Sequence, residues 1–232
     1  MSLQDRVALV TGASRGIGRA TALALASMGA HLVLTARSQG GLEETDDLIR
    51  RAGGTATLLP LDLVKEAEQL DMIGPSIVER FGRLDILVHA AAVLAKLTPA
   101  AHIMPRDWTE SLAVNVSAAW RLIRSCDPPL RAAPAGRAIM LTDVRAAEPT
   151  AYWALYGAAK AAEAHLVRSW ALEVQQTPLR VVLADPGPVA TNLRSVAFPG
   201  EDQSKIRQPA EAGAAVAALA TQDFAHGATL RI

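Results

Sequence analysis

Short runs of apolar residues recur along the chain, and between them lie longer segments whose apolar positions return every three or four residues. The runs cover residues 7–10, 31–35, 57–61, 84–88, 138–142 and 179–184, with a last one near 228–230. A strand with one wet face would alternate apolar and polar positions. Near-continuous apolar runs instead mark strands buried on both faces, as in a parallel sheet covered by helices. The intervening spacing predicts helices over residues 17–28, 41–51, 65–81, 107–126 and 152–174, with an alanine-rich helix after a loop at 192–208. Gly74-Pro75 is expected to break the third helix, because proline removes an N–H and clashes with the preceding turn. Asp127-Pro128-Pro129 is expected to end the fourth. Regular alternation without a repeat or linker predicts one α/β domain over residues 1–232, built on a doubly wound parallel sheet.

The first strand runs into Thr11-Gly12-Ala13-Ser14-Arg15-Gly16-Ile17-Gly18. Glycines there let the backbone turn tightly, and they let a pyrophosphate approach the free amides at a helix N-terminus. The spacing is G-x-x-x-G-x-G, which also fits an ordinary strand-to-helix connection. Arg37 follows the second strand at the sheet edge where ligands bind. An arginine there, helped by Arg15, offers a cationic fork to a 2′-phosphate and argues for NADP(H) over NAD(H); otherwise both are solvated surface charges. Asp62, after the third strand, could accept from an adenine amino group or cap the next helix. Tyr156 and Lys160 are one helical turn apart on one face. Asn115 sits inside a helix, where asparagine needs a local reason.

Composition narrows the function classes. Half of the 232 residues are apolar, enough for one buried core. Lys plus Arg and Asp plus Glu each number 23, which disfavours nucleic acid or an acidic membrane as partner. The single cysteine, Cys126, fits a reducing compartment. The chain enters its first strand almost at once, and no apolar stretch approaches membrane-spanning length, so a cytoplasmic location is expected.

Together these motifs resemble the short-chain dehydrogenase/reductase family over essentially the whole length. The resemblance rests on Thr11-Gly12-x-x-x-Gly16-x-Gly18, Asp62, Asn115, Tyr156-x-x-x-Lys160 and Pro186-Gly187-x-x-x-Thr191. The stretch from Thr191-Asn192-Leu193-Arg194 to Phe198-Pro199-Gly200-Glu201-Asp202 looks like one bacterial branch of the family. The resemblance implies a Rossmann-type fold and reversible hydride transfer between a nicotinamide and a carbonyl or alcohol. It assigns Tyr156 as acid/base, Lys160 as the cation that lowers its pKa and binds the nicotinamide ribose, and Asn115 as support for a relay water. The other reading of Asn115 is that it ties down a helix kink. Cofactor contacts are implied for Gly12, Ser14, Arg15, Gly16, Ile17, Gly18, Arg37, Asp62, Leu63, Ala90, Ala91, Tyr156, Lys160, Pro186, Gly187, Val189 and Thr191. No metal is called for. A homodimer or homotetramer is expected, with Trp108, Trp120 and Trp170 as anchors or as core. Residues 189–208 would form a substrate lid, and Leu94, Leu97, Ile103, Met104, Leu193, Val196 and Phe198 an apolar lining suited to a neutral carbonyl compound, while Arg145 and Arg194 could instead pair an anionic group.

The pattern breaks at two places. Thirteen residues before its tyrosine the family has a serine that hydrogen-bonds the substrate carbonyl, and here that position is Asp143. An ionised carboxylate cannot donate, and its charge would raise the Tyr156 pKa. Thr142 could substitute only if the strand bulges. Asp143 could otherwise be protonated, be neutralised by Arg145 on the same strand face, or face a cationic substrate. An NADP(H)-binding protein with impaired chemistry, acting as a sensor or partner-binding module, is the competing expectation. The second break is His89-Ala90-Ala91-Ala92, where the family has Asn-Asn-Ala-Gly; His89 is expected to be a satisfied core histidine.

Overall fold

The computed structural model describes residues 2–232 and arranges them in three layers, helices on both faces of one sheet. The strands are β1 (Val7–Thr11), β2 (His31–Ala36), β3 (Thr55–Pro60), β4 (Ile86–His89), β5 (Arg137–Leu141), β6 (Arg180–Asp185) and β7 (Thr229–Arg231). The helices are α1 (Gly16–Ser27), α2 (Gln39–Arg51), α3 (Leu70–Phe81), α4 (Pro105–Leu112), α5 (Ala118–Ala132), α6 (Ala154–Val174), α7 (Asn192–Ala197) and α8 (Pro209–Ala218). All strand pairs are parallel, in the order β3-β2-β1-β4-β5-β6-β7. The winding reverses at β1, which pairs Val10 with Leu34 on one side and with Val88 on the other. Such a reversal opens a crevice above the C-terminal strand ends.

Strand periodicity sorts the core into two layers. Val7 and Leu9 pack with Leu87, Met140, Val167 and Trp170, whereas Ala8 and Val10 pack with Leu25, Leu34, Val88 and Val216. Successive side chains point to opposite faces, so continuous apolar strands feed both layers.

Both proline expectations are corrected. Helix α3 continues through Pro75, and α5 continues through Pro128 and Pro129 to Ala132. The two helices supply each other with partners. The Gly74 amide donates to Ser125 Oγ at 2.8 Å. The Ser125 carbonyl, which Pro129 cannot bond, lies so close to Gly74 that a Cβ there would sit 1.9 Å from its oxygen. Residues 192–208 are also more ordered than a plain loop, since α7 lies within them.

Candidate active site

A cavity of about 810 Å³ opens at the reversal point. Its floor is the glycine turn. Gly12 has φ of +66°, and a Cβ on it would come 2.9 Å from the Ala91 backbone, so glycine lets the segment after β4 close over the turn. At Gly18 a Cβ would lie 2.3 Å from the Gly12 carbonyl oxygen, so the third glycine seats α1 against the turn. Arg15, the residue before α1, caps no helix amide with its side chain. The first amides of α1 therefore face the cavity as an anion site, and the glycine cradle fits a pyrophosphate.

The cavity brings together nearly all the residues singled out from the sequence: Gly12, Ser14, Arg15, Gly16, Ile17, Gly18, Arg37, Asp62, Leu63, Ala90, Ala91, Asp143, Tyr156, Lys160, Pro186, Gly187, Val189 and Thr191. Asn115 is the exception. It is buried behind the wall, in a π-helical turn, Ala113–Ser117, that joins α4 to α5. Its Oδ1 accepts from the Val93 amide at 3.0 Å, and its Nδ2 donates to the Val93 carbonyl at 2.9 Å and to Ser111 Oγ at 3.2 Å. The kink-tying role is thus present, and it pins the segment after β4. Asp62 takes its capping role, accepting from the Val64 and Lys65 amides at 2.9 and 3.1 Å. Slight burial opposes these amides and the Arg37 charge, which together hold its carboxyl below the ordinary range. Arg19 went unnoticed in the sequence. It donates to Thr45 Oγ1 at 3.1 Å and pairs with Glu44 at 2.8 Å, bracing the turn against α2.

The apolar lining differs from expectation. Val93, Val114, Val144, Trp153, Leu193 and Ala197 line the cavity, whereas Leu94, Leu97, Ile103 and Met104 do not. Met104 and Val196 are exposed, and Phe198 packs on Trp153 with ring centroids 5.8 Å apart. Tyr152 is exposed, which leaves Tyr156 as the tyrosine that faces the cavity.

On α6, positions 156, 160 and 163 share one face, and each side chain is buried. Lys160 Nζ donates to the Leu141 carbonyl at 2.9 Å and to Glu163 Oε2 at 2.6 Å. Sequence reasoning missed Glu163. The available signal was a carboxylate one turn beyond Lys160 on an otherwise apolar helix face. Burial pushes the Glu163 carboxyl above its ordinary range, and the Lys160 ammonium only partly offsets this. Tyr156 is likewise raised, contrary to the expected lowering. Burial is the main cause, followed by the charges of Asp143, Glu163 and Asp185, with Arg145 opposing.

Behind Lys160 a polar chain continues through β4. Thr11 Oγ1 accepts from the amides of Ala90 and Ala91 at 3.1 and 3.2 Å, so its hydroxyl proton is free to bond His89 Nδ1 at 2.8 Å. A neutral imidazole that accepts at Nδ1 carries its proton on Nε2. That atom lies 3.8 Å from Glu163 Oε1. Burial first, and then the Lys160 charge, lower the His89 pKa to about 3.

Asp143 follows β5 in extended conformation and caps the turn Val144–Ala146, its Oδ1 accepting from the Arg145 amide at 2.8 Å. The strand does not bulge: the Thr142 amide stays in the ladder, bonded to the Ala184 carbonyl at 2.9 Å. Thr142 therefore does not take over the missing hydroxyl. Nor does Arg145 lie on the strand face. It sits in the turn, with its guanidinium over the Trp153 ring at 5.1 Å.

Comparison with known proteins agrees with this geometry. A model of the short chain dehydrogenase family matches residues 6–202. The uncharacterized oxidoreductase YciK of Escherichia coli K12 is 33% identical over 211 residues, covering 90% of this chain and 83% of that protein. A short chain dehydrogenase from Salmonella enterica serovar Typhi CT18 superposes with a TM-score of 0.94 at 31% identity, over 99% of this chain and 96% of that one. One from Escherichia coli CFT073, solved with NADPH, gives 0.93 at 31% identity, over 98% and 96%. The chain belongs to the short-chain dehydrogenase/reductase family, whose members here are oxidoreductases built on a single Rossmann-like sheet.

Proposed function

We propose that the chain is an NADP(H)-dependent oxidoreductase acting on a small unsaturated or hydroxylated substrate, in the family's usual form a carbonyl–alcohol pair. The observation that carries the reading is the convergence of the glycine cradle, Arg15, Arg37, Tyr156 and Lys160 on one cavity. Both arginines line the cavity and suit a 2′-phosphate, and a relative of the same fold was solved with NADPH.

A nicotinamide bound there would supply or accept hydride. The amides of α1 and the turn hold the pyrophosphate. Lys160 fixes the ribose through its remaining N–H, Pro186, Gly187, Val189 and Thr191 wall the nicotinamide, and Tyr156 holds or moves the substrate proton. Residues 189–208 act as the lid, closed at its base where Val189 bridges Arg207 and the Ala190 amide donates to the Arg207 carbonyl at 2.9 Å. Subunits associate as a homodimer or homotetramer through the helices near Asp107–Cys126 and Tyr152–Val174; Trp108 and Trp120 are exposed on the first, while Trp170 belongs to the core. The protein works in the cytoplasm; its one cysteine, Cys126, is buried and unpaired.

A second reading, a cofactor-binding protein with disabled chemistry, is favoured by Asp143 and by the raised Tyr156. Tyr156→Phe separates the two readings. With a neutral carbonyl substrate the reductase loses turnover by about 100-fold or more in the variant while NADPH binding survives. Unchanged carbonyl turnover in Tyr156→Phe, or no hydride transfer to any substrate in the wild type, sinks the first reading.

A further inference from the structure

We infer that the substrate is a cationic C=N compound, an iminium ion, held at the end of β5 by the Asp143 carboxylate. The inference rests on the hydride-transfer reading and narrows it. A carbonyl accepting hydride builds negative charge on oxygen and needs hydrogen-bond donors beside it. Asp143 stands where such a donor is wanted, and an ionised carboxylate only accepts. An iminium reverses the requirement, since its positive charge disappears on reduction and its N–H, where present, needs an acceptor.

Neighbouring side chains do not convert this end of the cavity into a carbonyl site. Thr142 lines the cavity with an unpartnered hydroxyl, but its amide stays in the β ladder, so no bulge moves that hydroxyl into the place of Asp143. Arg194 is engaged by Glu201 through two contacts of 2.6 Å and lies over the Phe198 ring at 3.8 Å. The Arg145 guanidinium lies over Trp153, and only its amide reaches Asp143. Lys160 is held by Glu163 and the Leu141 carbonyl. Asp185, another carboxylate at the cavity, is already paired with Arg231 at 2.6 Å. Asp143 forms no salt bridge among the described residues, although the Arg194 guanidinium feels its charge, and its second oxygen accepts no hydrogen bond among them.

The chemistry balances without a proton. A C–H bond forms at the iminium carbon as a C–H bond of the reduced nicotinamide breaks, the C=N π pair becomes the amine lone pair, and the positive charge passes to the oxidised nicotinamide. Tyr156 therefore need not give up its proton. That suits a phenol held above its ordinary range by burial and by three carboxylates.

The test compares N-methyl-3,4-dihydroisoquinolinium and 1-methylpyrrolinium with the neutral ketones 1-tetralone and cyclopentanone, using NADPH and the wild-type enzyme. Binding of the non-reducible N-methylisoquinolinium to the protein alone is measured by calorimetry. Asp143→Asn and Asp143→Ser serve as variants, and both retain an oxygen to cap the Arg145 amide. The expected result is at least a tenfold higher kcat/KM for an iminium than for its ketone. In addition, binding of the cation should weaken at least tenfold in Asp143→Asn, and the preference should reverse in Asp143→Ser. Preferred reduction of the ketones, or cation binding indifferent to Asp143→Asn, overturns the iminium assignment and leaves the reductase reading standing. No turnover of either class overturns both.

Discussion

The Lys160 ammonium and the Glu163 carboxylate lie 2.6 Å apart, both buried, one helical turn below the tyrosine that faces the cavity. A lysine held in this way is a positioned donor, and the Glu163 carboxylate that holds it is itself one cause of the raised Tyr156 pKa. The pair thus links the packing of α6 to the proton affinity of the site.

Removing one partner leaves an unpaired buried charge, which costs more than the pair contributes. Glu163→Leu should lower unfolding stability by about 3 kcal/mol. The double variant Lys160→Met, Glu163→Leu should recover most of that loss. Chemical denaturation of the wild type, Lys160→Met, Glu163→Leu and the double variant gives the coupling, and additive losses would argue against a paired state.

The chain holds two tyrosines, so Tyr152→Phe leaves Tyr156 as the sole phenol. Its ionisation can then be followed by ultraviolet absorbance without any substrate. The phenol should remain protonated well beyond the ordinary midpoint of about 10. Each lost carboxylate removes a cause of the raised pKa, so Asp143→Asn and Glu163→Gln should both move the midpoint down, Asp143→Asn further. An unmoved midpoint would show that burial alone sets it.

His89 makes stability depend on pH. Its folded pKa of about 3 lies below the unfolded value near 6.5, so the unfolded chain binds the extra proton between them. The contribution is complete above about pH 6.5 and is lost as the pH falls toward 3, by up to about 1.4 kcal/mol per pH unit. His31, lowered by burial and by Arg80, adds a slope of the same sign, and Glu163, raised by burial, adds one of opposite sign. His89→Asn should flatten the wild-type slope between pH 4.5 and 6.5 in urea titrations. An unchanged slope would assign it elsewhere.

Cofactor choice should follow Arg37. Arg37→Glu places a carboxylate against a 2′-phosphate and should weaken NADPH binding roughly 100-fold while leaving NADH within a few-fold. Protein fluorescence on titration with each nucleotide measures both. Equal losses for the two would assign Arg37 a role unrelated to the phosphate.

Much of this architecture can be read from the residues alone. The buried strands showed as apolar runs because a parallel sheet leaves no wet face to interrupt them, and the glycine turn, Arg37, Tyr156 and Lys160 were visible as local spacings. The failures came from long-range partners. Pro75 and Pro129 read as breaks because Ser125 and Gly74, 51 positions apart, are not neighbours in the chain. Glu163 and His89 lie on different elements, so their approach beneath Lys160 appears only once α6 lies across β4.

The π-helical turn at Ala113–Ser117 amounts to one surplus residue spliced into a helix that otherwise runs from Pro105 to Ala132. Upstream and downstream stretches therefore follow different rotational phases, offset by about 100°. Excising a single residue there would leave a longer, more regular helix and spin one half against the other. Asn115 would lose Val93, and the cavity wall behind it would come unpinned.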